Sequence, residues 1–215
     1  MPEIFTQATY HPICDKLALM DTDLKYIIAT YGYPVLWSRP NTFESLVHII
    51  LEQQVSLASA LAAINKLRQR VPEISPANVL ALSDTELREC YFSRQKTVYV
   101  RHLAEAINSG KIDLARFENQ EDEEIRKDLT ELKGIGNWTV DIYLIMILHR
   151  TDIFPLGDLA VLNAVKKVKS LNVTATREEI VRISAQWKPH RTVACMILWH
   201  YYLSKPGKRI VEPGN

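Results

Sequence analysis

The chain has 215 residues, 47% of them hydrophobic and 24% charged, with a formal net charge of +1. That length and apolar content support one domain or two small lobes around a true core, while no apolar run approaches the roughly 20 residues needed to span a bilayer. Cys14, Cys90 and Cys195 are odd in number and far apart, which argues against a disulfide framework or a metal-ligand cluster and for a reducing compartment.

The N-terminus has no basic stretch followed by an apolar one, so no secretory signal is expected. Phe43, Leu46, Val47, Ile50 and Leu51 make one apolar helical face with Thr42 placed as its N-cap. After a break at Gln53-Gln54-Val55, Ser56 opens a second helix carrying Leu57, Leu61, Ile64 and Leu67, which Pro72 punctuates. Ser83 with Glu86 forms a capping box, and Ser93 opens a helix that Gly110 closes. The segment from Glu118 to Asp128 holds six carboxylates, but Ile125, Leu129 and Leu132 keep helical spacing, as on a solvated helix face. Thr176 with Glu179 forms another capping box before a helix through Ile180 to Trp187, ended by Pro189, and His190 to Tyr202 reads as a last, strongly apolar helix. The expected class is all-α.

Charge is uneven. Residues 151–215 carry ten Lys/Arg against five Asp/Glu, and residues 1–150 carry sixteen against twenty. A basic C-terminal part suits an anionic polymer and an ordinary solvated surface equally well on charge alone, and Lys205, Lys208 and Arg209 in the tail are candidates to meet phosphate.

Leu132-Lys133-Gly134-Ile135-Gly136-Asn137-Trp138-Thr139 runs one helical pattern through Gly-x-Gly into another. Two glycines so close permit a tight turn. The helix start that follows adds N–H groups without intrahelical partners and a positive dipole end, which can hold a phosphate, although Gly-x-Gly alone reads first as a plain helix–helix connection. Ile135 is placed to point inward and pin the turn. An acidic residue follows 22 positions after Gly136, in Phe154-Pro155-Leu156-Gly157-Asp158. By itself Asp158 reads as the N-cap of the helix from Leu159.

Taken together with Phe43-Glu44, Leu51-Glu52-Gln53-Gln54-Val55-Ser56 and Trp187-Lys188-Pro189-His190-Arg191 leading to Trp199, these segments resemble the helix-hairpin-helix DNA glycosylase superfamily. They are closest to its alkylpurine branch of 3-methyladenine glycosylase II type, in a compact form without an N-terminal β domain. The resemblance spans about residues 36–203 and implies two helical lobes with the active-site cleft between them. Residues 1–35 plus 149–215 would form one lobe and deliver Asp158; residues 36–148 would form the central lobe with the hairpin.

The resemblance makes Asp158 the catalytic aspartate, stabilising an oxocarbenium-like sugar as an alkylated purine leaves. Lys133, Gly134, Ile135, Gly136 and Thr139 form the DNA-binding hairpin. Gln54, with Gln53 beside it, takes the wedge position that fills the gap left by a flipped base. Trp138 and Trp199 line the base pocket, where His200 and Ile142 replace tyrosines of relatives. Trp138 also occupies the position that holds the Schiff-base lysine in relatives resembling endonuclease III, and an indole forms no imine. A monofunctional hydrolase without lyase activity is implied, with no cofactor, no catalytic metal and no iron–sulfur cluster.

The implied partner is damaged double-stranded DNA, with an AP endonuclease downstream. A monomer is expected, without membrane association, in the cytoplasm or nucleus. Trp37 reads as core, Trp187 as mainly packing, and Asp141 and Asp152 as structural. His190 and His200 are candidate general acids. Two other readings stay open. A non-catalytic helix-hairpin-helix protein binding distorted DNA would need Lys133, Gly134 and Gly136 but not Asp158. A helical interaction scaffold would use the glycines and tryptophans for packing.

Overall fold

The computed structural model describes residues 2–204, which form helices and their connections plus one isolated antiparallel bridge between Ile4 and Arg150. No helix among them is long and apolar enough to cross a membrane. The chain divides into two compact units, one built on Arg39–Tyr143, the other on Glu3–Ser38 together with the chain from Leu144 onward.

The discontinuous unit begins with α1 (Gln7–Met20) and α2 (Thr22–Tyr31). The contiguous unit holds α3 (Phe43–Glu52), α4 (Leu57–Arg70), α5 (Pro76–Ala81), α6 (Asp84–Glu89), α7 (Arg94–Asn108), α8 (Leu114–Phe117), α9 (Asp122–Thr130) and the first part of α10 (Asn137–Met146). The chain then returns to the discontinuous unit for α11 (Leu159–Val168), α12 (Arg177–Ala185) and α13 (Arg191–Leu203).

Local signals place the ends of these helices. Thr42, Ser56 and Ser93 each cap the backbone N–H three residues on, and the boxes at Ser83/Glu86 and Thr176/Glu179 close reciprocally. Each such cap satisfies a donor that the helix leaves over, worth about 1 kcal/mol. One boundary differs from expectation: α12 stops at Ala185, short of Trp187. Proline disfavours helical geometry in the residue before it, and the segment to Pro189 completes its descent in turns.

In the contiguous unit α7 is the hub, packing on α3, α5 and α6. In the other, α13 packs on α1, α2 and α11 and is buried from Thr192 through His200, as a helix apolar on all sides must be. A polar knot holds that unit together. Asp21 caps α2, accepts Lys169 Nζ on both carboxylate oxygens at 2.7 Å, and accepts the Trp187 indole N–H at 2.7 Å. Burial alone would raise this carboxyl, but the hydrogen bonds from Lys169 and Trp187 outweigh it and hold it below the usual range.

Candidate active site

In the contiguous unit, α9 runs out at Thr130 and the chain turns through Ile135 N–H to Leu132 C=O, 3.1 Å, before α10 begins. Gly134 sits at φ +90 with its α-carbon over the ring of Tyr99, and a Cβ there would lie 2.0 Å from that ring. Gly136 is exposed with open space around it, and its carbonyl accepts from Val140 N–H as α10 starts. Leu132 and Ile135 are buried beneath the turn, and Lys133 is exposed on it. Arg126 reaches from α9 to Asp141 (2.7 Å) and Asn137 (3.2 Å), bracing the two helices. Burial pushes the Asp141 carboxyl up, opposed by the Arg126 guanidinium.

The turn between α3 and α4 is bonded to this hairpin. Gln53 Nε2 donates to the Gly134 carbonyl at 2.9 Å and to the Thr139 hydroxyl at 2.8 Å. Gln54 is exposed and stands at φ +59, a left-handed conformation that costs a non-glycine residue about 1–2 kcal/mol. Such strain persists where surrounding contacts over-determine it.

In the discontinuous unit, Asp158 N–H closes a turn on the Pro155 carbonyl (2.9 Å), and the half-buried carboxylate then caps α11. Its Oδ1 accepts two donors, the Val161 backbone N–H at 2.9 Å and the Trp199 indole N–H at 3.2 Å. Trp199 in turn meets Trp37 edge-on, with ring centroids 6.2 Å apart. The carboxylate is thus oriented by two N–H dipoles beside an aromatic pair. Such an arrangement can offset positive charge developing next to it without first reorganising.

The structure brings together Asp158 with Trp199, and Gln53 with Gly134 and Thr139. Trp138 is half-buried at the start of α10. Three more of the expected residues have definite surroundings. Ile142 is 2% exposed inside the apolar face of α10 and presents almost no surface to a base. His200 turns its Nε2–H to the carbonyl of Tyr31 at the end of α2, 2.9 Å away, satisfying a helix terminus. The Gln53 amide is engaged inward with the hairpin, whereas Gln54 beside it is exposed. Trp187 is bound to Asp21, and Asp152 carries a bidentate pair with Arg191. The tail residues Lys205, Lys208 and Arg209 lie outside the described residues.

Sequence reasoning missed Trp37 as the neighbour of Trp199 and gave no role to Lys96 or Tyr99. Lys96 carried a signal: it shares helical spacing with the buried Val100, Leu103 and Ala104, so a charge stands on an apolar face. Tyr99 carried none.

The chain is similar to known proteins in sequence and in fold. The model of the HhH-GPD superfamily of base excision DNA repair proteins matches residues 47–190. The chain is 31% identical over 210 residues to DNA-3-methyladenine glycosylase 1 of Schizosaccharomyces pombe, covering 92% of this chain and 89% of that one. It is 27% identical over 190 residues to the alkylbase DNA glycosidase-like protein mag2 of the same yeast, covering 85% and 89%. Among solved structures, the S. pombe 3-methyladenine DNA glycosylase Mag1 in complex with abasic DNA is similar with a TM-score of 0.82 at 28% identity, covering 87% of this chain and 95% of that chain.

Proposed function

The chain belongs to the HhH-GPD superfamily of base excision DNA repair proteins, and from that membership we propose that it is a DNA glycosylase hydrolysing alkylated purines out of duplex DNA with Asp158 as its catalytic carboxylate. The observation that carries the reading is the Asp158 carboxylate held by the Trp199 indole and the Val161 N–H. Lys133, Gly134, Ile135, Gly136 and Thr139 form the hairpin that takes backbone phosphate. Gln54 fills the space of the extruded nucleotide. Trp138, half-buried at the start of α10, stacks on the base, where a cationic purine gains roughly 0.5–2 kcal/mol from an indole face.

The C1′–N bond breaks with its electron pair leaving on the base, and a water oxygen bonds to C1′ and loses a proton. A purine methylated at N3 or N7 carries positive charge, so the departing pair neutralises it and no general acid is needed. A neutral lesion requires protonation as it leaves, and of the two candidate acids His200 is held by Tyr31 while burial keeps His190 below the usual imidazole range. Cationic alkylpurines are therefore the preferred substrates. Trp138 at the lyase-lysine position supports hydrolysis without strand cleavage, leaving an abasic strand for an AP endonuclease.

The reading is tested by single-turnover excision from matched duplexes carrying 7-methylguanine, 3-methyladenine or hypoxanthine, each corrected for spontaneous depurination. Both methylated purines should be released faster than hypoxanthine; the reverse order overturns the charge argument. The same reactions with borohydride should trap no covalent enzyme–DNA adduct, and trapping in good yield would refute a purely monofunctional mechanism.

A further inference from the structure

Gln54 stands in a left-handed conformation with its side chain exposed, and the peptide entering it is held from below by α7. Lys96 Nζ donates to the Gln53 carbonyl at 3.1 Å, to the Gln53 side-chain Oε1 at 3.0 Å, and to the Ile50 carbonyl in the last turn of α3. An ammonium has three N–H donors, and three oxygens of one turn receive them. The Gln53 carbonyl and the Gln54 nitrogen share one planar peptide group, so gripping that carbonyl sets the orientation in which the chain enters Gln54.

The grip continues outward. With Oε1 facing Lys96, the amide N–H groups of Gln53 face the hairpin, where they bond the Gly134 carbonyl and the Thr139 hydroxyl. Tyr99, next along α7, lies under Gly134 itself. One face of α7 thus seats both the turn that carries Gln54 and the hairpin. Lys96 is partly buried in doing so, and burial brings its amine down to about 8.

We propose that Lys96 and Gln53 are positioning residues: Lys96 holds the peptide that presents Gln54, and Gln53 ties that turn to the hairpin, so that plug and phosphate clamp meet the duplex at a set separation. The inference rests on the reading of Gln54 as the plug and of residues 133–139 as the clamp.

The test is a double-mutant cycle. Single-turnover excision of 7-methylguanine is measured at saturating enzyme for Lys96→Met, Gln54→Ala and the double variant, with half-saturating concentrations and melting temperatures alongside. Each single variant should lose about tenfold in rate with a smaller change in half-saturation, and the double variant should be within about twofold of Gln54→Ala, because Lys96 acts through Gln54. Multiplying losses, near a hundredfold, overturn the proposal by showing that Lys96 supports something else. A Lys96→Met enzyme as fast as wild type overturns it equally. Should Lys96→Met melt far below wild type, Gln53→Ala, which retains the ammonium and its backbone contacts, goes through the same cycle, and multiplying losses there are decisive against it. A Gln54→Ala enzyme as fast as wild type removes the plug reading itself and this inference with it, an outcome distinct from multiplicativity.

Discussion

Asp158→Asn separates the two roles that the structure gives one side chain. As a cap, Asp158 uses Oδ1 toward Val161 N–H and Trp199 Nε1–H. An asparagine keeps an oxygen there, and Asn caps helices about as well as Asp. The stability loss then reduces to the charge–dipole part, about 0.3–1 kcal/mol, and in a chain of this size about 1 kcal/mol shifts the melting temperature by roughly 2–4 °C. As a catalyst, Asp158 loses the charge itself. A unit charge about 4 Å from the forming oxocarbenium, at an effective dielectric near 20, contributes about 4 kcal/mol, and each 1.36 kcal/mol is about tenfold in rate. Excision should therefore fall about a thousandfold while the protein melts within about 4 °C of wild type. Calorimetry and single-turnover release of 7-methylguanine, corrected for spontaneous loss, measure the two numbers. A rate within fivefold of wild type, in a protein that melts normally, would leave Asp158 as a helix cap and nothing more.

Two further outcomes follow from geometry and charge. Gly134→Ala should destabilise the fold, because its Cβ would strike the Tyr99 ring and its φ is +90, whereas Gly136→Val should melt normally yet bind damaged and undamaged duplexes more weakly alike. Melting curves with fluorescence anisotropy distinguish them, and a Gly136→Val loss confined to one lesion contradicts the phosphate role. His48 is depressed to about 4 from 6.5, by burial first and then by Arg39. Between those values the unfolded chain holds a proton that the folded one lacks, so this group makes stability fall as pH drops from about 6.5 toward 4. Denaturant midpoints across that range should flatten in His48→Gln; an unchanged slope refutes the assignment.

What the sequence disclosed was what chemistry along the chain decides. Thr42, Ser56, Ser83, Ser93 and Thr176 cap helices through neighbours within three residues, so their work is written locally. The Gly-x-Gly turn was legible for the same reason. What was not legible are contacts between partners distant in sequence: His200 meets Tyr31 across 169 positions, and Gln53 meets Thr139 across 86. No spacing rule in one sequence joins them. The burial of Ile142 was legible too, since the helical pattern alone places it on the apolar face of α10.

The Asp21 knot also bears on how the chain is made. Asp21 and Trp187 are 166 positions apart, and synthesis at roughly 5–20 residues per second separates their appearance by about 8–33 s. The unit on Arg39–Tyr143 is contiguous and has its own core residues to hand as soon as it emerges. The helices α1 and α2 precede it from the ribosome, yet Leu17, Leu24 and Ile27 belong to a core whose other half, α11 and α13, is translated last. The first helices synthesised are thus among the last to be housed, and a message truncated before Trp187 yields a chain whose opening helices have lost the residues that cover them.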